Sequence, residues 1–201
     1  MSLAPPLRRV PHGAPPALTL WDEVPLTLGR VHEICGRARR TLALRALAAA
    51  GAPAIWIAPA WGRDPLHPPG MAEWCDPGGV VFIAARRPED LLWAMEESLR
   101  AGVASAVVAE LPEPPPLTPV RRLHLAAEAG AAAGRGGPLG LILTPGAGGA
   151  QGVETRLRME PAHIGSAGRW RLERLRARMA PPRTWHLGPS AIEGPAEVAM
   201  A

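Results

Sequence analysis

The sequence contains no lysine: all 22 of its basic residues are arginine. That absence excludes Schiff-base chemistry, a lysine general base and the cation that an intact phosphate-binding P-loop requires. Guanidinium does not deprotonate at ordinary pH, so the net charge of +4, from 22 arginines against 18 acids, is essentially fixed. Such a charge is compatible with nucleic-acid contact without demanding it. Cysteine is scarce, with only Cys35 and Cys75, and no disulfide framework is expected. Together with His32 and His67 these cysteines form no C-x-x-C pair and no H-x-x-x-H, so no metal site is expected either. None of the five serines stands in G-x-S-x-G, which leaves no hydrolase elbow. No long apolar run is present to act as a signal peptide or membrane span, and the chain reads as soluble and cytoplasmic, free to associate with the nucleoid.

What is present suits one domain of ordinary size with tails, since domains commonly run to ~100–200 residues. Hydrophobic residues make up 47% of the chain, enough for a real core, while 25 prolines and 22 glycines predict ordered elements joined by turns and loose ends. Residues 1–17 hold five prolines and no apolar periodicity and read as a disordered arm; residues 188–201 read as a similar tail, leaving 18–187 as the folded domain. Within it, Val31 to Cys35, Ala54 to Ala58, Val80 to Ala84, Ala104 to Ala109 and Leu139 to Thr144 are short apolar runs bounded by Gly, Pro or charge. They read as parallel-sheet strands buried on both faces.

Helical spacing fills the intervals. Thr41 to Ala50 is rich in Leu and Ala and stops at Gly51; Pro88 to Ala101 opens on Pro and two acids and sets Leu92, Met95 and Leu99 on one face. Thr118 to Ala133 offers Thr118 as N-cap, Pro119 at the first helical position and a stripe of Val120, Leu123 and Ala127. Strand and helix in this rhythm predict right-handed βαβ units and an open, mostly parallel sheet. From Arg156 onward charged and apolar residues alternate, with a register slip at Glu173-Arg174, which predicts an antiparallel extension carrying a bulge; a short basic helix over 170–179 is the competing reading.

In an open parallel sheet the ligand crevice lies at the carboxyl ends of the strands. The exit of the first run reads Cys35-Gly36-Arg37-Ala38-Arg39-Arg40-Thr41. A P-loop there needs G-x-x-x-x-G-K-[ST], so that backbone N–H groups wrap a phosphate and lysine reaches its outer oxygens. Gly36 to Thr41 is two residues too short, lacks the second glycine and carries Arg40 in the lysine position. It reads as a structural turn; a nucleotide, if held, would be held by Gly36, Arg37, Arg39, Arg40 and Thr41 with Glu110 at the tip of the fourth run. Glu110 itself reads as a solvated or hydrogen-bonded carboxylate rather than a Mg²⁺ ligand. The adjacent acids Glu96 and Glu97 read as a solvated helix face.

The densest charge lies near the C-terminus: Arg156, Arg158, Arg169, Arg171, Arg174, Arg176, Arg178 and Arg183 against Glu160 and Glu173, with Trp170 and Trp185 interleaved. That mixture fits phosphate neutralisation with base stacking on single-stranded DNA, an acidic protein partner, or a plain solvated strand face. Thr144 to Glu154 (TPGAGGAQGVE) reads as a mobile glycine-rich loop.

Taken in order, these segments resemble the RecA recombinase core. Gly29 to Leu44 (GRVHEICGRARRTLAL) is similar to the strand, P-loop and helix that open it. Asp64-Pro65, ASAVVAE, Leu117-Thr118-Pro119, VETRLRM and RWRLERLRARMAPPRTWHL follow, covering roughly Leu26 to Leu187. Within that superfamily Pro88 to Gly102 (PEDLLWAMEESLRAG) is similar to the second-helix signature of the ImuA family, RecA-like accessory proteins of bacterial mutagenesis cassettes. Arg121 to Gly130 (RRLHLAAEAG) is similar to that family's third helix, and Pro145 to Gln151 to its small-residue loop ending in Gln. The resemblance implies an α/β, RecA-like, mostly parallel twisted sheet with helices on both faces and an antiparallel C-terminal extension. It further implies a role in SOS-induced translesion DNA synthesis beside ImuB, an inducible DnaE-type polymerase and RecA. Recombinases carry an intact P-loop and a long DNA-binding loop; the shortened, lysine-free turn here implies a non-catalytic role without a cofactor. A SulA-like division inhibitor and a single-stranded DNA-binding protein are the alternatives.

Overall fold

A computed structural model describes residues 16–163, 168–188 and 192–193. The described chain opens with a hairpin of β1 (Ala17–Leu20) and β2 (Val24–Thr27). It continues through β3 (Val31–Cys35), α1 (Arg39–Ala50), β4 (Ala54–Pro59), the one-turn α2 (Pro68–Met71), β5 (Val80–Ala85), α3 (Pro88–Ala101), β6 (Ala106–Glu110), α4 (Leu117–Gly130) and β7 (Leu139–Leu143). The antiparallel end comprises β8 (Thr155–Pro161), β9 (Trp170–Ala177), β10 (Arg183–Leu187) and the two-residue β11 (Ile192–Glu193).

Nine strands form one sheet in the order β11-β10-β9-β8-β3-β7-β6-β4-β5. The six strands from β8 to β5 are mutually parallel, and β9 to β11 run antiparallel beyond them. Every residue of β3, β6 and β7 is buried, because α1 with the β1–β2 hairpin covers one face of the sheet centre and α3 with α4 the other. The architecture is therefore α/β, mostly parallel with helices on both faces and an antiparallel C-terminal extension, consistent with a RecA-like fold. No helix among the described residues is long and apolar enough to cross a membrane.

Several expectations need correction. The N-terminal arm is shorter than 1–17: Ala17 is the first residue of β1, and Leu28 N–H donates to the Pro16 carbonyl at 2.8 Å, closing the strand pair behind it. Residues 1–15 of that arm lie outside the described residues, as do 189–191 and 194–201 of the tail, within which β11 pairs with β10. Val80–Ala85 is not buried on both faces. It forms the sheet's outer strand, with Val81 56% and Phe82 48% exposed, because an apolar run specifies a strand but not its place in the order. Thr118 does not cap α4: the helix starts at Leu117 after Pro116, and Pro119 sits in the first turn, where backbone N–H groups lack intrahelical partners. On α3 the inner position is taken by Leu91, in line with Met95 and Leu99, rather than by Leu92. Glu96 is not solvated; it is buried between Arg100 of its own helix and Arg122 of α4, the latter at 2.7 Å. The basic helix over 170–179 is replaced by β9, whose bulge leaves Leu175 unpaired between Arg174 and Arg176, one residue past the slip.

His32, fully buried on β3, shows what the sheet centre does to a titratable group. Its Nε2–H donates to the Thr27 carbonyl at 3.0 Å and its Nδ1 has no partner among the described residues. Burial disfavours the imidazolium and pushes its pKa down from 6.5 to about 4. The folded state therefore holds neutral His32 while the unfolded chain takes up a proton below pH 6.5. Stability from this group is complete above that pH and declines as pH falls towards 4, by about 3 kcal/mol in all. Urea unfolding of the native protein and of His32→Leu at pH 7, 5.5 and 4 tests this: on acidification the native protein should lose stability relative to the variant, which does not titrate at this position.

Candidate functional site

The turn between β3 and α1 is where a phosphate loop would lie, and here the chain itself occupies the space. Gly36 has φ +89°, open to glycine, and a Cβ at this position would collide with the Met159 carbonyl of β8. Gly36 N–H donates to the Gly146 carbonyl at 3.1 Å, and Ala38 N–H to Met159 at 3.0 Å. Two donors that would face an anion are thus spent on the loop after β7 and on β8. Thr41 lies in the first turn of α1, and Arg39 Nη1 returns to the Gly36 carbonyl at 3.2 Å. Arg37 leans the other way, to Glu160 at 2.9 Å.

Arg40 and Glu110 do come together. Arg40 Nε donates to Glu110 Oε2 at 2.9 Å, while Arg40 also binds the Asp64 carboxylate at 2.8 Å and the Asp64 carbonyl at 2.7 Å. The second oxygen of Glu110 accepts Trp56 Nε1–H at 2.9 Å. Each oxygen of the strand-tip carboxylate is engaged by a side chain of the protein. Among the described residues, no group of three His, Cys, Asp or Glu side chains converges.

A further carboxylate, which the sequence reading passes over, organises the neighbourhood. Glu33 is fully buried on β3. It accepts Thr144 Oγ1–H at 2.6 Å, Gly149 N–H at 2.8 Å and Ala150 N–H at 3.1 Å, and pairs with Arg156 of β8. Arg156 in turn donates to the Ala150 carbonyl at 2.8 Å. The glycine-rich segment Thr144 to Glu154 is therefore not mobile but pinned through its own backbone. At Gly148, with φ +74°, a Cβ would lie 2.7 Å from Glu33 Oε1. A signal was available: an acid inside a short strand that reads as buried on both faces requires partners, since an uncompensated buried charge is prohibitively costly. Burial, reinforced by Glu33, pushes the Cys35 thiol up to about 11 and leaves it protonated and unreactive at neutral pH.

The basic segment does not form one surface. Strand alternation sends Trp170, Leu172 and Arg174 to the face shared with α1, and Arg171 and Glu173 to the face shared with α4. Trp170 is buried, edge-on to Trp74 at 5.3 Å and to His163 at 5.4 Å. Trp185 is 2% exposed, lies under Arg174 and Arg183, and donates its indole N–H to Glu23 of the β1–β2 turn at 3.0 Å. Neither tryptophan is free to stack on a base, which corrects the expected mixed Arg–Trp contact surface. Arg156 is committed to Glu33, Arg174 also donates to the Pro181 carbonyl at 2.8 Å, and Arg169 donates its backbone N–H to His163. Arg158, Arg171, Arg176 and Arg178 remain on the helix-free face beyond α4, where Glu160 lies 3.2 Å from Arg158 and Glu173 3.5 Å from Arg171. Arg30 and Arg121, distant in sequence, join this face beside Arg176 and Arg178.

Glu33→Gln keeps the shape but turns an amide N–H₂ toward N–H donors and leaves Arg156 uncompensated. It should destabilise the fold by about 3–5 kcal/mol in urea unfolding and speed amide exchange across 144–154. Arg37→Ala, which removes a side chain 79% exposed, should stay within about 1 kcal/mol of the native protein. Compared with models of known families and with curated protein sequences, the chain matches none.

Proposed function

We propose that this chain is a non-catalytic RecA-like accessory protein of SOS-induced, error-prone translesion DNA synthesis, a scaffold acting beside an ImuB-like polymerase homologue, an inducible DnaE-type polymerase and RecA. The observation that carries the non-catalytic part is the closed turn: Gly36 and Ala38 donate to the protein's own carbonyls, and Arg40 and Trp56 engage the two oxygens of Glu110. A phosphate group at this place would have to break bonds already made, and no lysine exists to replace them. The mutagenesis part rests on the resemblance of PEDLLWAMEESLRAG and RRLHLAAEAG to the ImuA family. These segments supply α3 and α4, which pack side by side over the sheet through Leu91, Met95, Leu99, Val120 and Leu123. Their outer sides carry Trp93, 62% exposed, and Leu125, 65% exposed, apolar groups of the kind that protein contacts bury.

Deleting the coding sequence should lower ultraviolet-induced mutation to the spontaneous level, and the Glu110→Gln variant, which removes the strand-tip carboxylate but keeps one acceptor for Trp56 Nε1–H while Arg40 retains Asp64, should restore it fully. Calorimetry with Mg-ATP should show no binding that depends on Arg40. Unchanged induced mutation in the deletion strain would overturn the mutagenesis role, and micromolar Mg-ATP binding lost in Arg40→Ala would overturn the non-catalytic one.

A further inference from the structure

Helical cover on the α3–α4 side ends at α4, while the sheet continues into β8 and β9. The step between the flank of α4 and the bare strands forms a cavity of about 440 Å³, lined by Arg30, Arg121, His124, Glu154, Arg176 and Arg178. It lies near the start of β3, whereas the Gly36 turn lies at the end of that strand. Each charged group reaches it for a definite reason. Arg30 immediately precedes β3. Arg121 and His124 are three residues apart on α4 and so share a helix face. Arg176 is aimed here by the bulge: before Leu175 the odd-numbered residues of β9 face this side, and after it Arg176, paired with Arg156, does so. Arg178 follows, its backbone N–H held by the Glu154 carbonyl at 3.0 Å.

The charges do not cancel. Arg30 pairs with Glu128, and Arg178 lies 3.9 Å from Glu154. Arg121 on the helix wall and Arg176 on the strand wall make no ion pair among the described residues, so two guanidinium groups line the space with no carboxylate paired to either, Glu154 lying toward Arg178. His124 contributes shape rather than charge. Its Nδ1 accepts Val31 N–H at 3.3 Å and its Nε2–H donates to the Gly152 carbonyl at 3.1 Å, which fixes the neutral ring as part of the wall. The other arginine cluster, Arg37, Arg158 and Arg171, carries less uncompensated charge because Glu160 bridges two of its members.

We propose that this cavity binds a ligand presenting two or more phosphate groups, gripped between Arg121 on α4 and Arg176 on β9. Guanidinium forks match phosphate oxygens bidentately, and two unpaired forks on facing walls suit adjacent phosphates better than a single carboxylate. The shared chemistry is the repeated phosphate, whether in the phosphodiester backbone of a single strand or in a free polyphosphate. The site stands whether or not the chain serves in mutagenesis.

Fluorescence anisotropy with a short labelled oligothymidylate, and competition with tripolyphosphate and with oligoglutamate, tests it on the full chain. Arg121→Ala and Arg176→Ala should each weaken binding about tenfold or more. Both should melt like the native protein, because neither side chain holds an ion partner among the described residues, and Arg87→Ala, removing the same charge near the far edge of the sheet, should bind normally. The slope of log K against log salt should become shallower by about 0.7 for each phosphate that a variant no longer neutralises. Displacement by tripolyphosphate at low concentration would assign the site to free polyphosphate, and resistance to it to the nucleic-acid backbone; either supports the proposal. It is overturned if no phosphate probe binds, if oligoglutamate displaces the oligothymidylate, or if Arg87→Ala weakens binding as much as the pocket variants.

Discussion

A single buried carboxylate sets the course of the second half of the chain. Glu33 sits within β3 with no access to water, so its charge must be met by donors of the protein, and they come from Thr144, Gly149, Ala150 and Arg156. Three of these belong to the segment after β7 and one to β8. Satisfying Glu33 thus bends that segment over the end of β3 and lays β8 alongside it, with Arg156 opposite Glu33 in the parallel register. Once β8 is there, its Met159 carbonyl lies against Gly36 and takes the Ala38 N–H. The closed turn follows from the same electrostatic requirement that anchors the sheet.

Beyond β8 the organising rule is the two-residue period of a strand. It separates what looks mixed in the linear sequence: leucines and tryptophans join the α1 face, with the β1–β2 hairpin folded against them, and most arginines take the opposite face, which no helix among the described residues covers. Among the described residues of β9 the bulge at Leu175 breaks that rule. Arg174, still in the regular alternation, faces inward over Trp185, and past the bulge Arg176 is turned outward beside α4.

The sequence alone makes the sheet legible because its central strands are buried on both faces and its helices carry regular stripes; Pro88 to Ala101 emerges with the expected ends. The slip at Glu173-Arg174 likewise marks the bulge. The β1–β2 hairpin is not legible, since its turn places Trp21 and Asp22 at positive φ without the glycine or asparagine that ordinarily signals such a turn. Strand order is hidden too, which is why Val80–Ala85 reads as an interior strand. At the candidate site, the defects of the Gly36 turn can be read directly, but the carbonyls that fill it cannot, because Gly146 and Met159 arrive from more than a hundred residues away. The cavity beside α4 is invisible for the same reason: Arg30, Arg121 and Arg176 share no segment.

The exposed outer strand gives the sheet a direction. At one end it tapers to β11, two residues long, which offers almost nothing to pair with. At the other it stops at β5, six residues long, with Val81 and Phe82 uncovered. Short strands close a sheet and long apolar ones leave it open. Among the described residues an additional strand therefore has one berth of useful length, and it would extend the parallel half of the sheet on the side farthest from the arginines of β8 and β9.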